Sequence, residues 1–104
     1  MIKKLLKPLG VPFRETVFTR TPEGDYAVYH DEVTADGDDY MAKVIYTHDI
    51  IVELYEAKPN PTLEAVFEAR LNAASLKWTK QSRYWIPEAK RYQVIYEFTY
   101  TTKT

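Results

Sequence analysis

Tyr92-Gln93-Val94-Ile95-Tyr96-Glu97-Phe98-Thr99-Tyr100-Thr101, residues 92–101, decides the fold. Tyr92, Val94, Tyr96, Phe98 and Tyr100 fall on one parity, and Gln93, Glu97, Thr99 and Thr101 on the other. Successive side chains of a strand point to opposite faces, so this alternation predicts an antiparallel sheet with one covered side. Residues 44–56 repeat the pattern: Val44, Tyr46, His48, Ile50, Val52 and Leu54 face one way, and Thr47, Asp49 and Glu53 interrupt the other. That stretch reads as a second long, half-buried strand.

Between the two lies a helix. Lys58-Pro59-Asn60-Pro61 ends the strand, with Asn60 placed as N-cap and Pro61 at the first helical position, where a missing amide hydrogen costs nothing. Leu63, Val66, Phe67, Leu71 and Ala74 recur at helical spacing, with Glu64, Glu68 and Arg70 off that face, and the helix is expected to reach about Leu76. Short strands are expected over 78–82 and 84–86, with a break at 87–91.

Toward the amino terminus, Ile2, Leu5, Leu6 and Leu9 follow the i, i+3, i+4, i+7 spacing of a short docking helix that Pro8, Gly10 and Pro12 stop. A strand is expected over 13–19 and another from Tyr26. Asp36-Gly37 is expected to form a tight hairpin, because both residues tolerate positive φ. The order is helix, strands, helix, strands. It predicts an α+β fold, an antiparallel β-sheet with two helices packed against one face, in a single domain spanning 1–104.

With 104 residues the chain has room for one core, and 45% hydrophobic and 28% charged residues match an ordinary globule. The net charge of −1 gives no overall field for phosphates or anionic lipid. No cysteine is present, which removes disulfides, thiolate metal sites and cysteine nucleophiles. The lysines among the first ten residues interrupt any secretory core, and no run of about 18 apolar residues occurs, so a soluble, non-exported protein without membrane contact is expected.

Candidate chemistry is sparse. His30-Asp31 and His48-Asp49 have metal-ligand residue types, but strand neighbours face apart, which favours hydrogen-bonded structural imidazoles. Asp36-Gly37-Asp38-Asp39 lacks the spaced ligand series of a calcium loop. Ser75 and Ser82 lie outside any nucleophile elbow, and the three glycines form no phosphate loop. Glu53, Glu56, Glu64 and Glu68 read as solvated carboxylates rather than a catalytic pair. Neither an enzyme nor a cofactor is expected.

Charge is segregated along the chain. Residues 21–42 carry Glu23, Asp25, Asp31, Glu32, Asp36, Asp38 and Asp39 without Lys or Arg, whereas residues 77–91 carry Lys77, Lys80, Arg83, Lys90 and Arg91 against Glu88 alone. Complementary patches of this kind can pair head to tail between copies, or pair within one subunit. The candidate interface residues are Asp36, Asp38 and Asp39 on one side and Lys80, Arg83, Tyr84 and Trp85 on the other. Tyr84 and Trp85 could also stack on unpaired bases. The absence of strong net positive charge and of a recognised module argues against sequence-specific nucleic acid as a partner.

Five segments carry a family likeness: Leu5-Leu6-Lys7-Pro8-Leu9-Gly10-Val11-Pro12-Phe13, Tyr26-Ala27-Val28-Tyr29, Thr34-Ala35-Asp36-Gly37, Glu53-Leu54-Tyr55-Glu56 and Tyr92-Gln93-Val94-Ile95-Tyr96-Glu97. In this order the chain resembles the small tail-completion or tail-terminator proteins, the head-tail joining proteins of long-tailed bacteriophages and prophages. The resemblance implies a non-catalytic virion protein, assembled in the bacterial host cytoplasm. Such a protein caps the tail tube as a ring of copies, usually six, and joins it to the head connector. Another head-tail connector or adaptor component, and a small ligand-binding α+β domain, are the alternatives.

Overall fold

The structure, a computed structural model, describes residues 1–38 and 43–103, and the side chains of all of these except Asp38 and Lys43. Helix α1 spans Ile2–Leu6 and tightens into a 3₁₀ turn over Lys7–Leu9. Ile2, Leu5, Leu6 and Leu9 are all buried, as their spacing predicts. Pro8 lies in the tightened turn, and Gly10 closes it in the left-handed region at φ 69°, its N–H donating to the Lys7 carbonyl at 3.2 Å. A Cβ at Gly10 would meet nothing within 4 Å, so the backbone angle and not space calls for glycine there.

Six strands follow: β1 Phe13–Glu15, β2 Tyr26–Asp38, β3 Lys43–Glu56, β4 Trp78–Lys80, β5 Tyr84–Ile86 and β6 Arg91–Lys103, with helix α2 at Pro61–Ala73 after β3. The sheet order is β1-β2-β3-β6-β4, and β5 also pairs with β6. One half of the body holds the core. Leu6 from α1 and Leu63, Phe67 and Leu71 from α2 pack on Ala27, Tyr29, Ile50, Val52, Leu54, Val94, Tyr96 and Phe98. Phe67 stands edge-on to Tyr96, with ring centroids 5.0 Å apart. Both helices lie on one face, and the fold is α+β.

Four details differ from expectation. β1 stops at Glu15 and runs parallel to β2, not antiparallel. Thr16, at φ 69°, turns the chain out of the strand. The return segment then reaches the opposite sheet face, where Phe18 stands edge-on to Tyr26 at 5.6 Å, so Tyr26 and Val28 are buried there as well. Asp36-Gly37 is not the hairpin turn. Both residues continue β2, opposite Ile45 and Val44, and Asp38 pairs with Lys43. The connection, with Asp39, lies at 39–42, outside the described residues. The turn preference of Asp-Gly yields here to the cross-strand register. Helix α2 ends at Ala73, because Ser75 enters the left-handed region at φ 57° and the Leu76 N–H bonds back to the Leu71 carbonyl at 3.0 Å. Val66 is exposed rather than buried.

Strands β2, β3 and β6 outrun the helices and form a three-stranded arm, giving a long axis of 52 Å. No residue from Val44 to Asp49 is buried, whereas Ile50, Val52 and Leu54 are.

The Asn60 cap holds three pieces of chain. Its Oδ1 accepts from Leu63 N at 3.1 Å, its Nδ2 donates to Asp25 Oδ2 at 2.8 Å, and its backbone N–H donates to Glu56 Oε1 at 3.2 Å. Asn60→Ala keeps only the last bond. It is expected to lower folding stability by about 1–2 kcal/mol, since loss of a cap typically costs about 1 and the Asp25 bond goes with it. Thermal unfolding checks this, and an unchanged Tm would show that the cap contributes nothing.

Candidate functional site

The strongest electrostatic feature lies where β3, α2, β4 and β5 meet. Glu56 continues the parity of Ile50, Val52 and Leu54, so it points to the helix side of the sheet and is fully buried. Glu64, in the first turn of α2, is 3% exposed. Arg83 reaches both. Its Nε lies 3.3 Å from Glu56 Oε1 and its Nη2 lies 2.5 Å from Glu64 Oε2. Lys80 Nζ bonds Glu64 Oε1 at 2.9 Å and Glu68 Oε2 at 2.7 Å, and the Tyr96 hydroxyl donates to the same Glu68 oxygen at 2.6 Å. The expectation of solvated carboxylates fails at Glu56 and Glu64.

Three carboxylates here face two cations, and protonation resolves the excess. Burial, together with a hydrogen bond to Glu64, pushes the Glu56 carboxyl up to about 7. Glu56 Oε2 is the one buried side-chain oxygen without an N–H or hydroxyl donor among the described residues. With a proton it donates to Glu64. Burial raises the Glu64 carboxyl, but the bonds from Glu56, Lys80 and Arg83 outweigh it and hold the group below its ordinary value. Burial first, then the Glu68 bond, raises the Tyr96 hydroxyl.

This network positions the residues read as an interface. Lys80 ends β4, Arg83 precedes β5, and both side chains are occupied within the chain. Tyr84 and Trp85 on β5 are 69% and 45% exposed, with Trp85 edge-on to Tyr92 at 4.9 Å. Asp36 is exposed on the arm, and Asp38 lies beside it in β2. The sheet order sets β2 and the β4–β5 side on opposite flanks of the β3–β6 pair, so the acidic strand and the Tyr84–Trp85 strand are not in contact through pairing.

The histidines are held structurally. His48 Nδ1 lies 3.1 Å from Asp31 Oδ1, its Nε2 lies 3.1 Å from Thr102 Oγ1, and its ring stacks on Tyr100 at 4.5 Å. His30 Nε2 lies 3.4 Å from Glu53. Among the described residues, no three His, Asp or Glu side chains group as a metal site requires.

The surface depressions are open. One, of about 290 Å³, lies between Val17, Phe18, Tyr26, Val28, Tyr55 and Ile86 on the face away from the helices. Its polar lining includes Thr16, Thr21, Glu88 and Glu53, the last of which accepts from the Tyr55 hydroxyl at 2.9 Å. Burial and that carboxylate push the Tyr55 hydroxyl up to about 12, a poor general acid at neutral pH. Another, of about 280 Å³, adjoins Ser82 and the two cations Lys80 and Arg83, which Glu56, Glu64 and Glu68 already engage. Among the described residues no helix is long and apolar enough to cross a membrane.

No family model matches this sequence, and no curated protein matches it. Among solved structures, the fold is similar to a chain of the virion of native gene transfer agent (GTA) particle. The likeness has a TM-score of 0.61 at 13% identity and covers 99% of this chain and 92% of that chain, so it is a likeness of the whole fold.

Proposed function

We propose that this chain is a structural protein of a phage-like virion, which caps the tail tube as a ring of copies and joins it to the head connector. The observation that carries the proposal is the end-to-end fold likeness to a chain of a gene transfer agent virion. The tail-completion resemblance of the sequence points the same way. So does the placement of unlike segments on opposite flanks of one sheet, because a ring needs heterologous contacts between two different surfaces. Its partners are then further copies of itself, tail-tube proteins and head-connector proteins, and its location is the virion, reached from the host cytoplasm during assembly.

In this reading Asp36 and Asp38 on β2 belong to one contact surface and the Lys80–Trp85 segment to the other. Lys80 and Arg83 brace the strand that carries Tyr84 and Trp85, whose side chains leave its two opposite faces. Tyr and Trp supply wide contact area with a polar tip and are common at the energetic centre of interfaces. Tyr84→Ala with Trp85→Ala is expected to weaken self-association about 30-fold or more, corresponding to about 2 kcal/mol for a central aromatic anchor. Sedimentation velocity reads the association and circular dichroism the retained fold. Equal association in the double variant and the parent removes these residues from the interface.

Electron microscopy of tails assembled with and without the protein tests the function. Overlong tubes in its absence support capping. Finished tails that fail to attach to heads make it another connector component. Normal particles in its absence refute both.

A further inference from the structure

The arm leaves two sheet edges bare. β1 covers β2 only from Ala27 to Tyr29, and among the described residues no strand pairs with that edge of β2 from His30 to Asp38. On the other flank, β5 covers β6 from Arg91 to Gln93 and β4 from Tyr96 to Phe98. Among the described residues no strand covers that edge of β6 from Thr99 to Lys103. Folded proteins usually blunt such edges with prolines, bulges, very short strands or charged side chains, and of these the β2 edge has only the charges. Neither segment contains proline. The two registers to β3 run without interruption, so neither edge is bulged. Thr99, Tyr100, Thr101 and Thr102 are types that favour strands.

The two edges differ in charge. The β2 edge carries Glu32, Asp36 and Asp38, besides Asp31, which His48 engages. The β6 edge carries no acid and ends in Lys103. Joining two copies by their β2 edges would set carboxylates against carboxylates, which is unfavourable across strands. Joining β2 of one copy to β6 of another avoids this and is a heterologous contact, the kind that closes into rings. β2 and β6 are both antiparallel to β3 and therefore run in the same direction. Copies related by rotation about an axis along the strands keep that direction.

We infer that the His30–Asp38 edge of β2 in one copy pairs, as a parallel neighbour, with the Thr99–Lys103 edge of β6 in the next, carrying the sheet from subunit to subunit. The inference rests on the ring function proposed above and adds the backbone pairing that joins its copies. About five residues of β6 take part, a short ladder at the arm end of β6, away from the part that β5 covers.

The chain has no cysteine, so introduced thiols report without background. Glu32, Thr34 and Asp36 on β2 and Thr101 on β6 are exposed. Paired strands lie about 4.8 Å apart, within the roughly 4.4–6.8 Å Cα separation that a disulfide spans. Within one subunit β3 intervenes, and two strand spacings of about 10 Å forbid an internal bridge. Thr101→Cys is combined in turn with Glu32→Cys, Thr34→Cys and Asp36→Cys, positions two residues apart that sample the register. The full chain is oxidised with and without tail tubes, and products are resolved on non-reducing gels. The expected result is a reducible ladder beyond dimer in at least one double variant, with the single variants stopping at dimer. Rings visible by electron microscopy without any ladder overturn the edge pairing and leave the ring function standing. A chain that stays monomeric even with tail tubes overturns both.

Discussion

Arg83→Leu is expected to lower folding stability at pH 8 by about 3 kcal/mol, the lower end of what removing one partner of a buried ion pair costs. The guanidinium touches Glu56 and Glu64, which are buried, while its own side chain is 31% exposed, and that exposure sets the lower end. For a domain of this size the corresponding fall in Tm is roughly 12–24 °C. At pH 5.5 the loss should shrink. Glu56, raised to about 7, then carries its proton and no longer needs a cation, although Glu64 still does. Urea unfolding at the two pH values reads the difference. A loss below about 1 kcal/mol at pH 8 would place Arg83 among ordinary surface ion pairs.

The same substitution separates the brace from the surface it supports. β5 has three residues and pairs only with Arg91, Tyr92 and Gln93. Arg83 immediately precedes it and ties it to the end of β3 and the start of α2 through carboxylates on both. Without that tie, the Tyr84–Trp85 strand keeps its three-residue pairing and little else. Arg83→Leu should therefore also weaken self-association, and hydrogen exchange across 84–86 should quicken more than across the core of β6. The Tyr84→Ala and Trp85→Ala pair leaves the network in place, so it should weaken association while lowering stability less than Arg83→Leu does, the loss coming from the Trp85–Tyr92 ring contact.

Local pattern carried much of this architecture. The parity of Val94, Tyr96 and Phe98 set the covered face of β6, Asn60-Pro61 set the start of α2, and four apolar residues at helical spacing set the docking face of α1. Parity also contained Glu56, two residues beyond Leu54 on the covered face, but the rarity of buried glutamate argued for solvent. Only topology brings Arg83 to Glu56, because 27 residues separate them in sequence. Strand direction was likewise illegible for β1, since a three-residue extended segment has the same pattern whichever way it pairs. At Asp36-Gly37 a residue pair that permits a turn lies in a strand because pairing with Val44 and Ile45 extends past it. The bare edges depend on how far β1 and β4 reach along their partners, a matter of register rather than residue type.

Glu56→Gln should remove most of the pH dependence of stability between about pH 4.5 and 7 and should make the protein more stable at pH 8. In the folded chain the Glu56 carboxyl is raised from its ordinary 4.5 to about 7. Between those values the folded state holds a proton that the unfolded state has released, so stability falls as pH rises. The contribution is complete below about pH 4.5 and gone above about 7. Glu64, held below its ordinary value, works in the opposite sense: its contribution is present above about pH 4.5 and is lost as the pH falls through its depressed pKa. The two windows adjoin rather than cancel. A shift of this size corresponds to about 3 kcal/mol for Glu56. A glutamine amide is neutral at every pH, donates to Glu64 through its NH₂ group, and offers its carbonyl oxygen to Asn60 N and Arg83 where Oε1 now accepts. The parent should therefore lose about 2 kcal/mol between pH 5 and pH 8 while the variant stays nearly flat, exceeding the parent by about 1–2 kcal/mol at pH 8. Urea unfolding at pH 5, 6.5 and 8 measures both slopes, and a variant that retains the parental slope would move the titration to another group.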